Sequence, residues 1–351
     1  MNLQLPVPTT MPGDLYGRHE RDPLLRVLER VMNAHMGTMR LLHRKEFVGA
    51  TDDRRLEVVV SERRIEAFDE NVVSFVLSAA HGGELPSWRA GAHIDVEMPS
   101  GRLRQYSLCG DPADSTRYRI AVRRIPDGGG GSIEMHDLEV GSSLTVRGPR
   151  NAFAFAVPGF GSPADSLHFV AGGIGITPIL PMMRLAHRLG LDWSMVYTGR
   201  SRESLPFLGE LDEFGGSVTL RTDDVDGIPT SEMLLEGSQP GAAIYACGPM
   251  PMIGTLQRGV DPESEFHFER FSAPPIVNGV EFQVVLASTG ERVTVPADRS
   301  ILDAVMPLRP DVAYSCRQGF CGTCRVPATH APDGMLICTE RTDGDEVTLA
   351  L

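Results

Sequence analysis

The chain has 351 residues, 42% of them hydrophobic, with 37 glycines, 26 prolines and a formal net charge of −13. That length allows two or three cores of ordinary domain size, and the composition excludes a disordered chain; no apolar run approaches the length of a spanning helix. The acidic balance argues against a nucleic-acid partner and suits either plain solubility or steering toward a basic protein surface, and with no signal peptide at its start the chain is expected to be cytoplasmic.

Residues 1–53 read as an extension with one amphipathic helix. Asp22 can cap it, Pro23 can take its first position, and Leu24, Leu28, Val31, His35, Met39 and Leu42 recur at helical spacing. Its arginines would suit a docking or membrane-surface role, or packing against the chain's own acidic body. From residue 54 to about 160 the pattern turns to short alternating strands, Leu56 to Val60, Val72 to Leu77, His93 to Met98, Tyr118 to Val122 and Ser143 to Val146. Regular spacing of this kind predicts an antiparallel β-barrel. Over residues 161–271, apolar strands alternate with helical segments: Leu167 to Ala171, Trp193 to Tyr197, Val218 to Thr222 and Ala243 to Cys247. They predict the buried parallel sheet of an α/β domain. Residues 272–278 form a linker, and 279–351 a small α+β domain with a hairpin, Phe282 to Leu286 and Arg292 to Val295, and a helix from Ile301 to Met306. The fold class is therefore multidomain: barrel, parallel-sheet α/β unit, small α+β unit.

Three sets of residues carry chemistry. In the barrel, Arg104-Gln105-Tyr106-Ser107-Leu108, the pair Val122-Arg123 and the run Gly128-Gly129-Gly130-Gly131-Ser132 offer a cation, an aromatic plane and backbone amides. An anionic, ring-bearing ligand such as a flavin phosphate would use each, though a glycine run is more often only a loop. In the α/β unit, Gly172-Gly173-Ile174-Gly175-Ile176-Thr177-Pro178 joins a strand to a helix, the context a dinucleotide pyrophosphate needs. The last strand of that unit ends in Cys247-Gly248-Pro249-Met250, at the sheet edge where open α/β folds bind ligands.

The third set is Cys316-x4-Cys321-x2-Cys324 followed by Cys338, the thiolate pattern of a plant-type [2Fe–2S] ferredoxin. A zinc site would ordinarily pair Cys321-x2-Cys324 with a second such knuckle, and none is present. Thirteen residues separate Cys324 from Cys338, a short interval for this pattern.

In this order the motifs resemble the phthalate dioxygenase reductase family. The resemblance spans residues 54 to 351 and rests on Arg104-x-Tyr106-Ser107-Leu108, Gly131-Ser132, Gly172 to Pro178, Tyr245-x-Cys247-Gly248-Pro249, Glu269-Arg270-Phe271 and the terminal cysteines. It implies an FMN-binding barrel, an NADH-binding α/β domain and a C-terminal β-grasp ferredoxin. Relatives with the ferredoxin first tend to use FAD, so the order here favours FMN. By the same resemblance, Arg104, Tyr106, Ser107, Arg123, Gly131 and Ser132 are FMN contacts. Thr177, Cys247, Gly248 and Pro249 form the nicotinamide pocket, and Phe271 covers the flavin near the hydride path. A nicotinamide gives electrons as a pair and the cluster takes them singly, so a flavin between them is chemically required.

Nucleotide choice hangs on Arg200-Ser201-Arg202 after the second parallel strand. No Asp stands there and those side chains would suit NADPH, but the resemblance implies NADH, so NADH is the expectation and NADPH the alternative. The expected function is an NAD(P)H-dependent reductase feeding single electrons to a separate oxygenase, Rieske or haem-thiolate. A flavin or quinone diaphorase and a redox sensor without turnover are the rivals.

Overall fold

The computed structural model describes residues 55–126, 130–271 and 276–351, apart from 315, 316, 318, 320 and 321. The expected N-terminal helix, Gly128, Gly129, Cys316, Cys321 and most of the linker lie outside the described residues.

Six strands build the barrel: β1 (Arg55–Ile65), β2 (Val72–Ala79), β3 (Ala92–Glu97), β4 (Leu103–Ser107), β5 (Arg117–Arg123) and β6 (Ser143–Asn151). Their order is β4-β3-β6-β1-β2-β5, every pair antiparallel. Alternation drives the assembly: Val58, Val60, Phe75, Leu77, Ile94, Val96 and Ile120 point inward and are fully buried. β4 and β5 are the two ends of this order, and the slot between them opens toward the second sheet.

That sheet contains β7 (Leu167–Gly172), β8 (Trp193–Gly199), β9 (Val218–Thr222), β10 (Ala243–Cys247) and β11 (Phe266–Glu269), all parallel, in the order β11-β10-β7-β8-β9. The order reverses between β7 and β10, so their C-terminal ends form the switch point at which open α/β sheets bind ligands. Strands buried on both faces account for the unbroken apolar runs. The helix after the glycine turn is Ile176–Arg188. Pro178 falls in its first turn, where a missing N–H costs nothing. Phe153 and Phe155, which follow β6, pack into this sheet's core rather than the barrel's.

The third sheet has β12 (Phe282–Leu286), β13 (Arg292–Val295), β14 (Arg325–Ala328), β15 (Ala331–Leu336) and β16 (Glu346–Leu349), ordered β13-β12-β16-β14-β15. Helix Ile301–Val305 covers it, capped by Ser300, whose hydroxyl accepts from the Asp303 N–H at 3.1 Å. Leu103 of the barrel joins the rim of this third core.

Candidate electron-transfer site

β4 is an edge strand, so side chains from both of its faces reach the slot beside it. A cavity of about 270 Å³ there is lined by Arg104, Tyr106 and Ser107 from β4 and by Val122 and Arg123 from β5. Ile125, Gly131 and Ser132 also line it, Ile174 and Thr177 of the glycine turn roof it from the parallel-sheet side, and Phe271 completes the lining. Phe271 is 48% exposed, an apolar ring left uncovered over a cavity, as expected of a side chain that stacks on a planar ligand. Ser132 is engaged within the loop: its hydroxyl accepts from the Ile125 N–H at 3.0 Å and donates to the Ile125 carbonyl at 3.3 Å. Ser132 is thus tied to Ile125 just past β5, which leaves the Gly131 backbone and the Arg104 guanidinium to meet an anion. Two arginines, an aromatic face and backbone amides fit a flavin and its phosphate.

The glycines of the turn divide into two kinds. A Cβ on Gly175 would stand 2.2 Å from the Cys247 carbonyl oxygen, and one on Gly172 would stand 2.7 Å from Pro249 Cδ and 3.3 Å from Gly248 Cα. These two glycines, together with Gly248, let β7 and β10 approach backbone to backbone. Gly173 is different: it has φ +53°, and its nearest outside neighbour is the Arg123 guanidinium, 3.1 Å from a Cβ position. It is the glycine that turns toward the flavin slot. Thr177 spends its hydroxyl on the Ile174 carbonyl at 3.0 Å, which fixes the roof.

A second cavity, about 760 Å³, shares Arg104, Gln105, Ser107 and Phe271 with the first and continues to Cys338 and Thr339 in the third sheet. Glu269 and His93 also line it. Burial pushes the Glu269 carboxyl up to about 8, against an opposing hydrogen bond from Ser107, so the group is largely protonated at neutral pH. His93 is held down to about 4, chiefly by burial and further by Arg150 against the pull of Asp95, and is neutral. Glu269 and His93 thus line this cavity as uncharged hydrogen-bonding groups, beside the charged Arg104, Asp298, Asp303, Arg317 and Arg341.

Among the described cysteines of the terminal motif, Cys324 is 2% and Cys338 4% exposed. The short interval between them is a hairpin: Arg325 pairs with Leu336, Val326 with Met335 and Ala328 with Ala331, across the two-residue connection Thr329-His330. The chain comes straight back, and the Ile337 N–H donates to the Cys324 carbonyl at 3.3 Å. Gly319 and Gly322, with φ +86° and +76°, curl the loop, and Gly319 lies so close to Thr339 that a Cβ would meet its hydroxyl at 2.6 Å. Gly319 and the turn after Cys338 are therefore neighbours, and two buried thiols close by fit an iron–sulfur core.

Two family models match the chain: "Oxidoreductase FAD-binding domain" over residues 58–155 and "2Fe-2S iron-sulfur cluster binding domain" over residues 284–346. The phthalate dioxygenase reductase of Burkholderia cepacia is 36% identical over 271 residues, covering 74% of this chain and 82% of that one. The solved structure of a phthalate dioxygenase reductase, described as a modular structure for electron transfer from pyridine nucleotides to [2Fe–2S], superposes with TM-score 0.68 at 33% identity, over 85% of this chain and 98% of that chain. The chain belongs to the phthalate dioxygenase reductase family. It is an iron–sulfur flavoprotein oxidoreductase, the reductase component of an oxygenase system. An intact type IV self-sufficient cytochrome P450 monooxygenase matches at 34% identity with TM-score 0.68; there the match covers 85% of this chain but only 41% of the other.

Within this reductase the structure gathers Arg104, Tyr106, Ser107, Val122, Arg123, Gly131, Ser132, Thr177 and Phe271 around one cavity. Other residues expected at the cofactors stand elsewhere. Leu108 is fully buried in the barrel core, because alternation turns it inward. Pro178 is buried in its helix. Gly130 caps the short helix Gly131–His136 beside the Arg102 guanidinium. Cys247 lines neither cavity; its thiol is buried, and burial together with the neighbouring Glu269 raises its pKa well above the usual range, so it is a neutral packing group at the switch point. Met250 accepts a contact at 3.5 Å from Arg270. Arg200 and Arg202 are exposed at the end of β8, while Ser201 caps the following turn. Sequence reading assigned no role to His93, Gln105 or Glu269. Their signal was faint: polar residues in strands that would otherwise read as half-buried.

Proposed function

We propose that this reductase takes a hydride from NADH onto FMN held between β4 and β5, and passes electrons singly through a [2Fe–2S] cluster to a separate Rieske or haem-thiolate oxygenase. The observation that carries this reading is the continuous passage in which Ser107 and Phe271, which line the flavin slot, and Cys338, which belongs to the cluster motif, border one cavity. When bound, the flavin supplies the exchange between paired and single electrons. The protein's residues do the rest. Arg104 and Gly131 receive the phosphate, Tyr106 and Phe271 hold the ring, Thr177 and Ile174 roof it, and Cys316, Cys321, Cys324 and Cys338 hold the iron. We take residues 54–160, 161–271 and 279–351 as the three units, joined by the linker 272–278.

FMN is favoured over FAD by the C-terminal position of the ferredoxin. For the nucleotide, the resemblance favours NADH. Arg200 and Arg202 keep NADPH as the second reading, decided by comparing kcat/KM for the two nucleotides. The decisive experiment for the whole reading is a visible spectrum of the purified protein with flavin extraction, followed by NADH. FMN release and bleaching of both flavin and cluster bands are expected. Bleaching of flavin alone, with the cluster intact, would favour a diaphorase, and no bleaching would favour a sensor.

A further inference from the structure

β3 is buried on both faces, which its sequence does not predict. Ile94 and Val96 fill the barrel core, but His93 and Asp95 alternate with them and are buried too, because the third sheet's unit lies over that outer face. Asp95 is fully buried and binds two partners through one oxygen. Arg150 of β6 donates to Oδ2, and so does the Tyr314 hydroxyl, at 2.6 Å. Tyr314 comes from the other unit, two residues ahead of Cys316. Its ring is flanked by two guanidinia, Arg150 at 4.8 Å and Arg317 at 4.9 Å from the ring centroid. One side of this clasp is therefore rigid barrel, in the strand whose His93 pairs in register with Ser107 of the flavin slot. The other side is the segment that leads into the cluster loop.

We infer that the Asp95–Arg150–Tyr314 clasp is a positioning device that fixes the cluster loop against the flavin-binding barrel. The inference rests on the electron path proposed above. A buried carboxylate held by one cation is costly to expose, so it favours the single arrangement in which Tyr314 supplies its second hydrogen bond. Two flanking guanidinia limit how far the ring can slide. Small displacements of reacting groups are expensive, a misplacement of about 1 Å costing up to about a hundredfold in rate.

The test uses the holoprotein. Tyr314→Phe keeps the ring and its cation contacts and removes only the hydroxyl. We expect faster amide exchange at residues 312–314, an unchanged rate of flavin reduction by NADH, and reduction of the cluster slowed by about tenfold. Flavin and cluster midpoint potentials should stay at their wild-type values. Asp95→Asn, which keeps an acceptor but loses the ion pair, should slow the same step. Wild-type cluster reduction in Tyr314→Phe overturns the inference, and so does a slowing that comes with a shifted cluster potential or lost iron, because Tyr314 would then act on the cluster itself. If the wild-type protein never passes electrons to its cluster, the electron path fails instead. The exchange measurement, which needs no turnover, then decides the clasp alone: unchanged exchange in Tyr314→Phe overturns it.

Discussion

Glu269 shows how burial decides the chemistry of a side chain whose identity alone misleads. Read from sequence it is an anion; in place it is an acid with a pKa near 8, covered on all sides and bonded to Ser107. The sign of the linkage follows. The folded protein keeps this proton up to about pH 8, while the unfolded chain gives it up near the ordinary value of 4.5. Between those limits the native state binds more protons than the unfolded one, so stability falls as pH rises through that window and levels off above it. Glu269→Gln should remove this slope. Urea unfolding of holoprotein and variant near pH 5.5 and near pH 8.5 measures it, and equal slopes would show that Glu269 ionises freely. At the same scale, Gly175→Ala drives a methyl into the Cys247 carbonyl and should cost more than about 2 kcal/mol, whereas Gly190→Ala, at an open helix end with φ +65° and nothing within 4 Å, tests backbone strain alone and should cost about 1 kcal/mol. Chemical denaturation of the two variants compares them directly.

At the scale of elements, legibility followed how much of a segment's pattern was set by its own burial. β9, β10, β12 and β13 fall where the residues predict, because each either has a continuous apolar run or alternates cleanly. β4 and β11 escaped notice: one is an edge strand of polar residues, the other four residues in which His267 and Glu269 interrupt the apolar ones. β14 contains Pro327 and β15 contains Gly334, residues that read as turns. The same hidden hairpin explains the short Cys324 to Cys338 interval. Since the β14–β15 register sets the return of Cys338, the tip should matter little. Inserting two glycines between Thr329 and His330 lengthens only the turn, and iron content and the visible spectrum of the cluster are expected to stay at wild-type values. Loss of iron would mean that the tip itself supports the cluster. The cofactor residues were legible as motifs; that a Cβ on Gly175 or Gly172 would also collide with the turn after β10 required the neighbouring strand, 75 residues away in the case of Cys247 and Gly172.

Across the whole molecule, the units are locked differently on the two sides of the barrel. Toward the parallel sheet the contact is ionic: Arg119 binds both Glu66 and Glu210 at 2.7 Å, Arg184 also holds Glu210, and Arg188 binds Asp111. Arg119 and Glu66 are well covered and Arg184 and Glu210 partly so, whereas Arg188 and Asp111 are exposed, so salt should reach the first four less than the last two. The surface through which electrons leave is a different case. Residues 279–351 carry ten acidic and six basic side chains within a chain of net charge −13, and several of those arginines are already paired, Arg292 with Glu346 and Arg309 with Asp311 among them. An exposed acidic excess attracts a basic partner over roughly one Debye length, about 10 Å at 0.1 M salt. Internal and external electron transfer should therefore separate by ionic strength. Raising salt from about 50 mM to about 500 mM is expected to leave flavin and cluster reduction by NADH unchanged, while the second-order rate of reduction of the oxygenase partner falls by about tenfold or more. Stopped-flow measurement of both steps in one salt series checks this. A partner rate that ignores salt would assign the charge to solubility, and an internal rate that falls with it would show that the ion pairs between barrel and parallel sheet open in solution.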